Sequence, residues 1–398
     1  MSEWKKIRVG DLGRIVTGKT PKTAIAENYG GAISFLTPSD DMSVKYIEVT
    51  AKKLTERGLS EVRNCLLPSR SICVSCIGSD LGKVVMTTQE TVTNQQINSI
   101  IPADEVDADF IYYAMLILGK KLNYISKTST AVPIVNKSSF SNYTIALPDL
   151  PTQRTIADTL SAHDAKIANN KAINHHLEQM AQAMFKSWFV DFEPWDGVMP
   201  KDWQEGTIKD TCSAIYNGGT PQRNEPRFWS DEVPWLTSGE VRQAIITKTE
   251  NFISEAGLAG SSAKWVPPLS TVVALYGATA GQVSMVALPL TTNQAICSLV
   301  PKENCVFYNY LCMRNAIREL ENQAVGSAQQ NISKGIVEET FCLIPDKKTL
   351  TEFENVVSPF FALWIANLEE SNRLAMLRDT LLPRLMSGEL SVTDLAAQ

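Results

Sequence analysis

Short apolar runs separated by turn residues fill two stretches of the chain. The first stretch contains AISFL, SICVSCIG, KVVMT and INSIIP, and the second contains VPWL, STVVALYG, QVSMVAL and AICSLVP. Short apolar runs bounded by Gly, Pro and Asn are typical of β-strands. A short helical pattern lies within each stretch, near Asp109–Leu118 and Phe307–Leu320. The pattern predicts two mixed, β-rich α+β domains.

A different period follows each β-rich stretch. Seam positions there recur at alternating steps of four and three residues, as in a coiled coil. They are Ile156, Leu160, His163, Ile167, Asn170, Asn174, Leu177, Ala181, Met184 and Trp188, and then Phe353, Val357, Phe360, Trp364, Asn367, Ser371, Leu374, Arg378, Leu381 and Leu385. A helix of about forty residues is ~60 Å long, too long for one domain to cover. We expect the two helices to pair, antiparallel; an amphipathic helix packed on its own domain is the alternative.

The chain repeats itself after about two hundred residues. TGKTP and FLTPSD recur as NGGTP and WLTSGE, GSDLGKV and TNQQI as GATAGQV and TNQAI, and VNKSSF and LPD as ISKGIV and IPD, in the same order. Self-similarity at a fixed period indicates duplicated structural units. The predicted organisation is a first β-rich domain at 1–150, a long helix at 151–195, a second β-rich domain at 196–345, a second long helix at 346–390 and a tail at 391–398.

Composition and charge are those of an ordinary folded protein, with 44% hydrophobic and 20% charged residues. The formal net charge of −6 argues against an indiscriminate nucleic-acid coat, but it leaves room for local basic surfaces. No apolar run approaches the ~20 residues of a membrane span, and the start MSEWKKIRVGDLGR lacks the apolar core of a secretory signal. We expect a cytoplasmic protein that does not contact a membrane.

The eight cysteines include one C-x-x-C pair, Cys73 and Cys76, inside a predicted strand. Residues three apart on a strand point to opposite faces. Because no second pair exists, reduced packing cysteines are expected, and no metal site is predicted.

The segment GRIVTGKT, Gly13–Thr20, fits the P-loop pattern G-x-x-x-x-G-K-[ST]. A P-loop needs a following helix whose N-terminus holds the phosphates. Here TPKTAIAENYGG follows, with turn residues and no helical period. In the repeat, Ser213 and Gly219 stand at the positions of Gly13 and Lys19. The repeat keeps only G-x-T-P, a tight turn, so a P-loop nucleotide hydrolase is retained only as the alternative from another class.

Other catalytic patterns are missing from the sequence, which has no adenine methyltransferase motif F-x-G-x-G or [NDS]-P-P-[YFW], no H-E-x-x-H and no G-x-S-x-G. The prediction is a chain with no catalytic residues and no cofactor of its own. Two similar domains joined by helical spacers suit a ligand with two sites at a fixed separation, such as double-stranded DNA with its ~34 Å helical turn.

The chain resembles the specificity (S) subunits of type I restriction–modification systems over nearly its whole length. The segments that carry the resemblance are TGKTP with FLTPSD, GSDLGK with TNQQINSIIP, ALPDLPTQRTIADTLSAHDAKIANNKAIN and the terminal LLPRLMSGEL. The first long helix begins with Leu150–Arg154, which resembles the leucine-proline-glutamine-arginine helix entry usual in this family. The second long helix begins instead with DKKTLTEFENVV and departs from that pattern.

The resemblance implies two target recognition domains, each followed by a long helix, with the helices paired as an antiparallel coiled coil. It implies that the chain reads a bipartite, asymmetric DNA site. It also implies two methyltransferase (M) subunits that modify adenine N6 and motor-nuclease (R) subunits, with S-adenosylmethionine, ATP and Mg²⁺ bound by those partners. An S subunit of a related system, whose methyltransferase and nuclease share one polypeptide, remains an alternative, as does a coiled-coil scaffold without DNA specificity.

Positions kept in both copies are predicted to set shared geometry or to contact phosphate, because identical residues cannot distinguish two different half-sites. Internal turn-stabilising hydrogen bonds are the alternative for them. They are Thr17, Thr20 and Thr220 with the backbone at Gly18 and Gly218, and Thr93 and Gln95 with Thr292 and Gln294.

Positions that differ between matched loops are predicted to read bases, because Arg and Lys recognise guanine, Gln adenine and acidic side chains cytosine in the major groove. Solvated loop side chains are the alternative. The matched sets are Lys19 and Lys22 with Gly219 and Gln222, Thr23 with Arg223, Ser39 and Asp40 with Gly239 and Glu240 and the nearby Arg242, and Ser79, Asp80 and Lys83 with Ala278, Thr279 and Gln282.

Overall fold

A computed structural model describes residues 4–78, 81–128, 134–323 and 331–391. Strands of the first β-rich domain are β1 (Lys5–Arg8), β2 (Gly13–Thr17), β3 (Tyr29–Leu36), β4 (Tyr46–Ile47), β5 (Lys52–Leu54), β6 (Leu66–Leu67), β7 (Ile72–Ser75), β8 (Val84–Thr87), β9 (Thr91–Thr93), β10 (Ile97–Pro102) and β11 (Thr144–Leu147). Its helices are α1 (Glu56–Val62), α2 (Ala108–Thr128) and α3 (Lys137–Asn142), and the long helix α4 (Leu150–Phe189) follows.

The second β-rich domain has the corresponding elements. Its strands are β12 (Gln204–Thr207), β13 (Cys212–Asn217), β14 (Val233–Leu236), β15 (Ile245–Ile246), β16 (Asn251–Ile253), β17 (Trp265–Val266), β18 (Thr271–Ala274), β19 (Val283–Val286), β20 (Leu290–Thr292), β21 (Ile296–Pro301) and β22 (Phe341–Ile344). Its helices are α5 (Glu255–Ala259), α6 (Val306–Asn315), α7 (Ile317–Gln323) and α8 (Lys334–Glu338), followed by the long helix α9 (Lys347–Met386).

Sheet topology is the same in both domains. The first domain has a five-stranded sheet of order β2-β10-β7-β8-β4, a four-stranded sheet of order β5-β3-β9-β6 and the pair β1-β11. The second has β13-β21-β18-β19-β15, β16-β14-β20-β17 and β12-β22. Each strand thus has its counterpart eleven strands later. The predicted α+β class and internal repeat are confirmed, and the single predicted helix near Phe307–Leu320 is interrupted at Ala316 between α6 and α7.

Both long helices begin after an aspartate that binds the first backbone N–H groups. The Asp149 carboxylate accepts from the Thr152 N–H at 2.9 Å, and the Asp346 carboxylate accepts from the Lys348 and Thr349 N–H groups at 2.9 and 3.1 Å. An acidic side chain at this place satisfies backbone donors that have no partner inside the helix. Although DKKTLTEFENVV differs from the sequence at the start of α4, α9 therefore begins with the same aspartate cap.

The chain divides into two compact units. The first comprises the described residues up to Ile167 together with those from Arg373 onwards, and the second comprises Ala168–Asn372. Each unit therefore holds one β-rich domain, part of α4 and part of α9.

In the first unit, the start of α4 and the end of α9 join the core of the domain. Ile156 and Leu160 from α4 and Leu382 and Leu385 from α9 are buried in one apolar cluster with β7, β8, β10 and α2. Residues near the start of α4 contact residues near the end of α9, and further along Asp164 of α4 binds Arg378 of α9 at 2.6 Å. The two segments are antiparallel here.

A buried lysine adds a polar network to this unit. The Lys45 ammonium binds Asp109 at 2.7 Å and donates to the Ser161 hydroxyl on α4 at 2.7 Å, while only 5% of its side chain is exposed. The hydroxyl of Tyr113, whose ring lies beneath the ammonium, donates to Asp164. The network ties the start of α4 to the first domain through hydrogen bonds.

In the second unit, aromatic side chains pack between the two long helices and the domain. Phe185 and Phe189 of α4 pack against Phe353 of α9 and Tyr308 of α6. Further along, the rings of Phe307 and Phe361 stack with centroids 4.4 Å apart.

Two asparagines mark the centre of the helix pair within this unit. Asn170 is fully buried, and its amide donates to the Asn367 carbonyl at 3.3 Å and to Glu370 at 2.7 Å. The Asn367 amide donates to the Asn174 side chain at 2.9 Å. Antiparallel pairing with asparagine in the seam is confirmed for this unit, and such residues fix register.

The predicted seam shifts by one residue where the helices enter the second domain. Phe185, Phe189 and Phe361 are buried, whereas the predicted Met184, Trp188 and Phe360 are partly exposed. There each helix packs against a globular core as well as the other helix, and the 3.6-residue period of a straight helix replaces the coiled-coil period.

Candidate nucleic-acid interface

The G-x-T-P turn leaves the end of β2 in the first domain and of β13 in the second. A Cβ atom on Gly18 would lie 2.2 Å from the Thr93 hydroxyl, and one on Gly218 would lie 2.0 Å from the Thr292 carbonyl. Glycine is needed because the turn crosses directly over the strand that ends at these threonines. The repeated glycine thus has a packing reason in both domains.

The same geometry excludes a P-loop at Gly13–Thr20. Gly13–Thr17 is strand β2, and the next regular element after the turn is a single 3₁₀ turn at Ala26–Asn28. No helix N-terminus therefore follows Lys19 and Thr20 to bind phosphates. The nucleotide-hydrolase alternative loses its structural basis.

Side chains that are the same in both copies link this turn to the loop after β9 in the first domain and after β20 in the second. The Thr20 hydroxyl donates to the Gln95 side chain at 2.7 Å, and the Thr220 hydroxyl donates to Gln294 in the same way. The Lys19 N–H bonds the Thr93 carbonyl at 2.8 Å, as the Gly219 N–H bonds the Thr292 carbonyl at 2.8 Å. These pairs form one frame in both domains, and they are the internal turn-stabilising hydrogen bonds given as the alternative for these positions.

Thr17 is not kept in both copies, so the prediction that grouped it with Thr20 and Thr220 is wrong in this respect. Its hydroxyl donates to the Asn98 side chain at 2.6 Å, next to the turn. The positions corresponding to Thr17 and Asn98 hold Asn217 and Cys297 in the second domain. This pair is internal to the first domain's sheet.

The acidic residues predicted to read cytosine hold their own loops together. Asp40 is buried, and its carboxylate accepts from the Thr37 and Ala51 N–H groups at 2.8 and 2.7 Å. Glu240 accepts from the Thr237 and Glu250 N–H groups at 2.9 and 2.7 Å. A carboxylate that accepts backbone hydrogen bonds in this way closes the loop after β3 or β14, and the geometry favours this role over base reading.

Glycines also frame the next loop, between β7 and β8 or β18 and β19. Gly78, Gly82, Gly277 and Gly281 all have positive φ values, between 79° and 94°. Thr279 is buried and donates to the Ser238 carbonyl at 2.8 Å, and the Gln282 amide donates to Glu321 at 2.7 Å. Lys83 is half-buried in the first domain, and the predicted Ser79 and Asp80 lie outside the described residues.

Several predicted residues have exposed side chains on these turns. They are Lys19, Lys22 and Ser39 with Gln95 in the first domain, and Gln222, Arg223 and Arg242 with Gln294 in the second. The Lys22 N–H is bound to Glu61 at 2.9 Å, so the turn is held while the side chain projects outwards.

A cleft of about 550 Å³ brings three predicted residues together in the second domain. Arg242, Thr279 and Gln294 line it, although they come from three different loops. The other lining residues are Ser238, Gly239, Tyr276, Gly277, Ala278, Ala295 and Asn331. The cleft lining does not include Gln222 or Arg223, which follow the G-x-T-P turn in the chain.

Tyr276 and Asn331 are cleft residues that sequence reasoning missed. They form an isolated antiparallel β-bridge, and Ile77 and Ile134 form the same bridge in the first domain. The alignment that pairs Gly78 with Gly277 also pairs Ile77 with Tyr276. Comparing the residue just before the glycine motif in the two copies would therefore have identified Tyr276.

The cysteines carry no sign of a metal site. All eight are free and buried, and burial raises the pKa of the Cys76 thiol to about 11. Cys73 and Cys76 belong to different apolar clusters, as predicted for opposite faces of a strand. Within the described ranges there is no metal-binding group of His, Cys, Asp and Glu and no helix that could span a membrane.

The fold is built from two copies of one domain, which share a frame and differ in exposed side chains. The family described as "Type I restriction modification DNA specificity domain" matches residues 1–179 and 200–366, and the chain belongs to this family. This membership carries the general function, DNA sequence recognition within type I restriction–modification.

Relatives of this kind match almost from end to end. The type I restriction enzyme MjaIX specificity subunit of Methanocaldococcus jannaschii is 27% identical over 99% of this chain and 95% of its own length. The HindI specificity subunit of Haemophilus influenzae is 27% identical over 98% of this chain and 100% of its own. The crystal structure of a type I restriction–modification S subunit from M. genitalium shares the fold, with a TM-score of 0.63, 15% identity and 96% coverage of both chains.

Proposed function

We propose that this chain is the non-catalytic DNA-reading subunit of a type I restriction–modification complex. Its two domains read the two halves of a bipartite, asymmetric DNA site, and the chain directs adenine-N6 methyltransferase and motor-nuclease partners to that site. The observation that carries the proposal is the duplicated frame. Identical strand orders and matched threonine–glutamine bonds hold loops whose exposed side chains differ.

Recognition of an asymmetric bipartite site requires two domains that share a frame but differ in their loops. Phosphates have the same chemistry in every sequence, so shared elements suit backbone contacts, whereas base edges differ and need different side chains. In this proposal Thr20 and Thr220, with Gln95 and Gln294, set the position of the turns. Exposed Lys19, Lys22, Gln222, Arg223 and Arg242 face the DNA.

Catalysis belongs to partners in this proposal. Two methyltransferase subunits hold S-adenosylmethionine, and the motor-nuclease subunits use ATP and Mg²⁺. The net charge of −6 fits a division of labour in which partners supply much of the electrostatic grip on DNA.

Mapping of N6-methyladenine tests this function. The chain is produced with its methyltransferase partner in a host without adenine methylation, and the genome is sequenced by a modification-sensitive method. We expect one bipartite motif, with adenine methylated in both halves, that disappears when the chain is omitted. Methylation that is the same with and without the chain, although the complex forms, would contradict the proposal.

A further inference from the structure

The cleft of the second domain has a counterpart frame in the first domain but different side chains. Both frames contain the β-bridge, the threonine–glutamine bond and the pair of positive-φ glycines. Tyr276 and Asn331 replace Ile77 and Ile134 at matched positions, and Arg242 replaces Ser43. An aromatic and a polar side chain thus stand where the first domain has two isoleucines, and a cationic side chain stands where it has a serine.

Internal hydrogen bonds separate structural residues from candidates for readout. Glu240, Thr279 and Gln282 use their polar atoms within the domain. In contrast, over the residues that the structure describes, no side-chain hydrogen bond or ion pair engages Arg242 or Asn331, and both are exposed. Their donors and acceptors are available to a ligand in the cleft.

Burial distinguishes Arg242 from its neighbour. Val241 is buried like its counterpart Met42, whereas Arg242 is exposed at the cleft. Tyr276 is 37% exposed on the cleft wall. The second domain therefore presents a guanidinium, a phenol ring and an amide on one concave surface.

We propose that Arg242, Tyr276 and Asn331 are the residues by which the second domain distinguishes the bases of its half-site. The inference rests on the proposed function and specifies it. Arg242 reads a guanine through O6 and N7, and Asn331 reads an adenine through N6 and N7, since these pairs form two hydrogen bonds each in the major groove. The ring of Tyr276 covers the apolar face of the cleft between them.

The first domain reads its half-site differently in this scheme. Exposed Ile134 offers a methyl-rich contact, which suits the thymine methyl group but supplies no donor or acceptor. The two half-sites are therefore unlike each other because matched positions differ in chemistry, while the frame that holds them is the same.

The test uses the whole chain in complex with its methyltransferase partner. The variant R242S/Y276I/N331I places the side chains of the matched first-domain positions Ser43, Ile77 and Ile134 in the second-domain cleft. We expect the methylated motif to lose its preference at one guanine and one adenine of one half-site, with the other half-site unchanged. On duplexes substituted singly at those two base pairs, discrimination in methylation rate should fall about 10-fold at each.

Single variants guard against a folding defect in the triple variant. Arg242→Ala and Asn331→Ala alter exposed side chains, and each should relax one base position only. Lys209→Ala is the matched control, because Lys209 is an exposed cation just before β13, at the opposite end of that strand from the G-x-T-P turn. The control should leave the motif unchanged.

The outcomes separate this inference from the proposed function. If the wild-type chain directs a bipartite motif but neither single variant changes any base preference, the assignment of the cleft is wrong and the proposed function stands. Loosening of both half-sites by the single variants would also overturn it. A wild-type chain that directs no motif would contradict the proposed function itself.

Discussion

Residues that the sequence presents alike as candidates for base reading have different roles in the folded domains. Asp40 and Glu240 look like candidates for base reading in the sequence, yet both accept hydrogen bonds from their own backbone. Arg242 looks similar in sequence but has no such bond among the described residues and faces a cleft. The sequence shows which residues differ, but only the contacts show which of them are already engaged.

Lys45 provides a prediction for the first unit. Burial by itself raises the pKa of Asp109, but the hydrogen bonds and charges of Lys45 and Arg70 hold that pKa below its usual value. Lys45→Ala removes the buried partner, and we expect the free energy of unfolding to fall by about 3 kcal/mol in denaturant titrations. Arg70→Ala is the control, because Arg70 binds the same carboxylate but is 52% exposed, and should cost less than about 1 kcal/mol. Equal losses for both variants would contradict this account.

Glu354 gives the second unit a pH-dependent stability. Burial raises the pKa of this carboxyl group from its usual 4.5 to about 7, although the Phe307 and Tyr308 N–H groups favour its charged form. The folded state therefore keeps a proton that the unfolded state loses between pH 4.5 and 7. The stability that this group contributes is complete below pH 4.5 and is lost as pH rises towards 7, a change of roughly 3 kcal/mol.

Glu354→Gln isolates this effect, because glutamine does not ionise and its side-chain oxygen still accepts the Tyr308 N–H. We expect the variant to gain stability relative to wild type as pH rises from 5 to 8. The measurement is the difference in melting temperature between the two chains across that range. A difference that is independent of pH would show that Glu354 does not titrate in this way.

At the scale of elements, the G-x-T-P turn is fixed by close packing. Gly218→Ala places a methyl group about 2 Å from backbone and hydroxyl oxygen atoms of Thr292, which requires the turn to move. We expect a loss of at least about 2 kcal/mol in the free energy of unfolding, together with weaker DNA recognition by the second domain. Gly239→Ala is the matched control for stability, since an added Cβ there meets nothing within 4 Å. Equal unfolding midpoints for the two variants would remove the packing argument.

Much of the element order follows from the sequence because local patterns determine it. Apolar runs such as SICVSCIG and STVVALYG became β7 and β18, and the alternating four-and-three period became α4 and α9. The short strand pairs and the break at Ala316 were not predicted, because pairing between distant segments leaves little local pattern. The cleft was missed for the same reason, since Arg242, Tyr276 and Asn331 come together only in the folded domain.

At the scale of the whole molecule, duplication explains both the symmetry of the fold and the asymmetry of the proposed site. Each compact unit has a β-rich domain with the same strand order and parts of both long helices. In the first unit a buried lysine network joins domain and helix, and in the second unit stacked aromatic rings do so. The two copies have diverged in packing as well as in their exposed loops.

The most direct test of the central claim, that each domain reads its own half-site, is a domain exchange. Residues 1–150 are replaced by the corresponding domain of another such subunit, and the methylated motif is mapped in the complex with the methyltransferase partner. The account predicts that one half of the motif changes to that of the donor while the other half stays the same. A change in both halves, or in neither half, would contradict it.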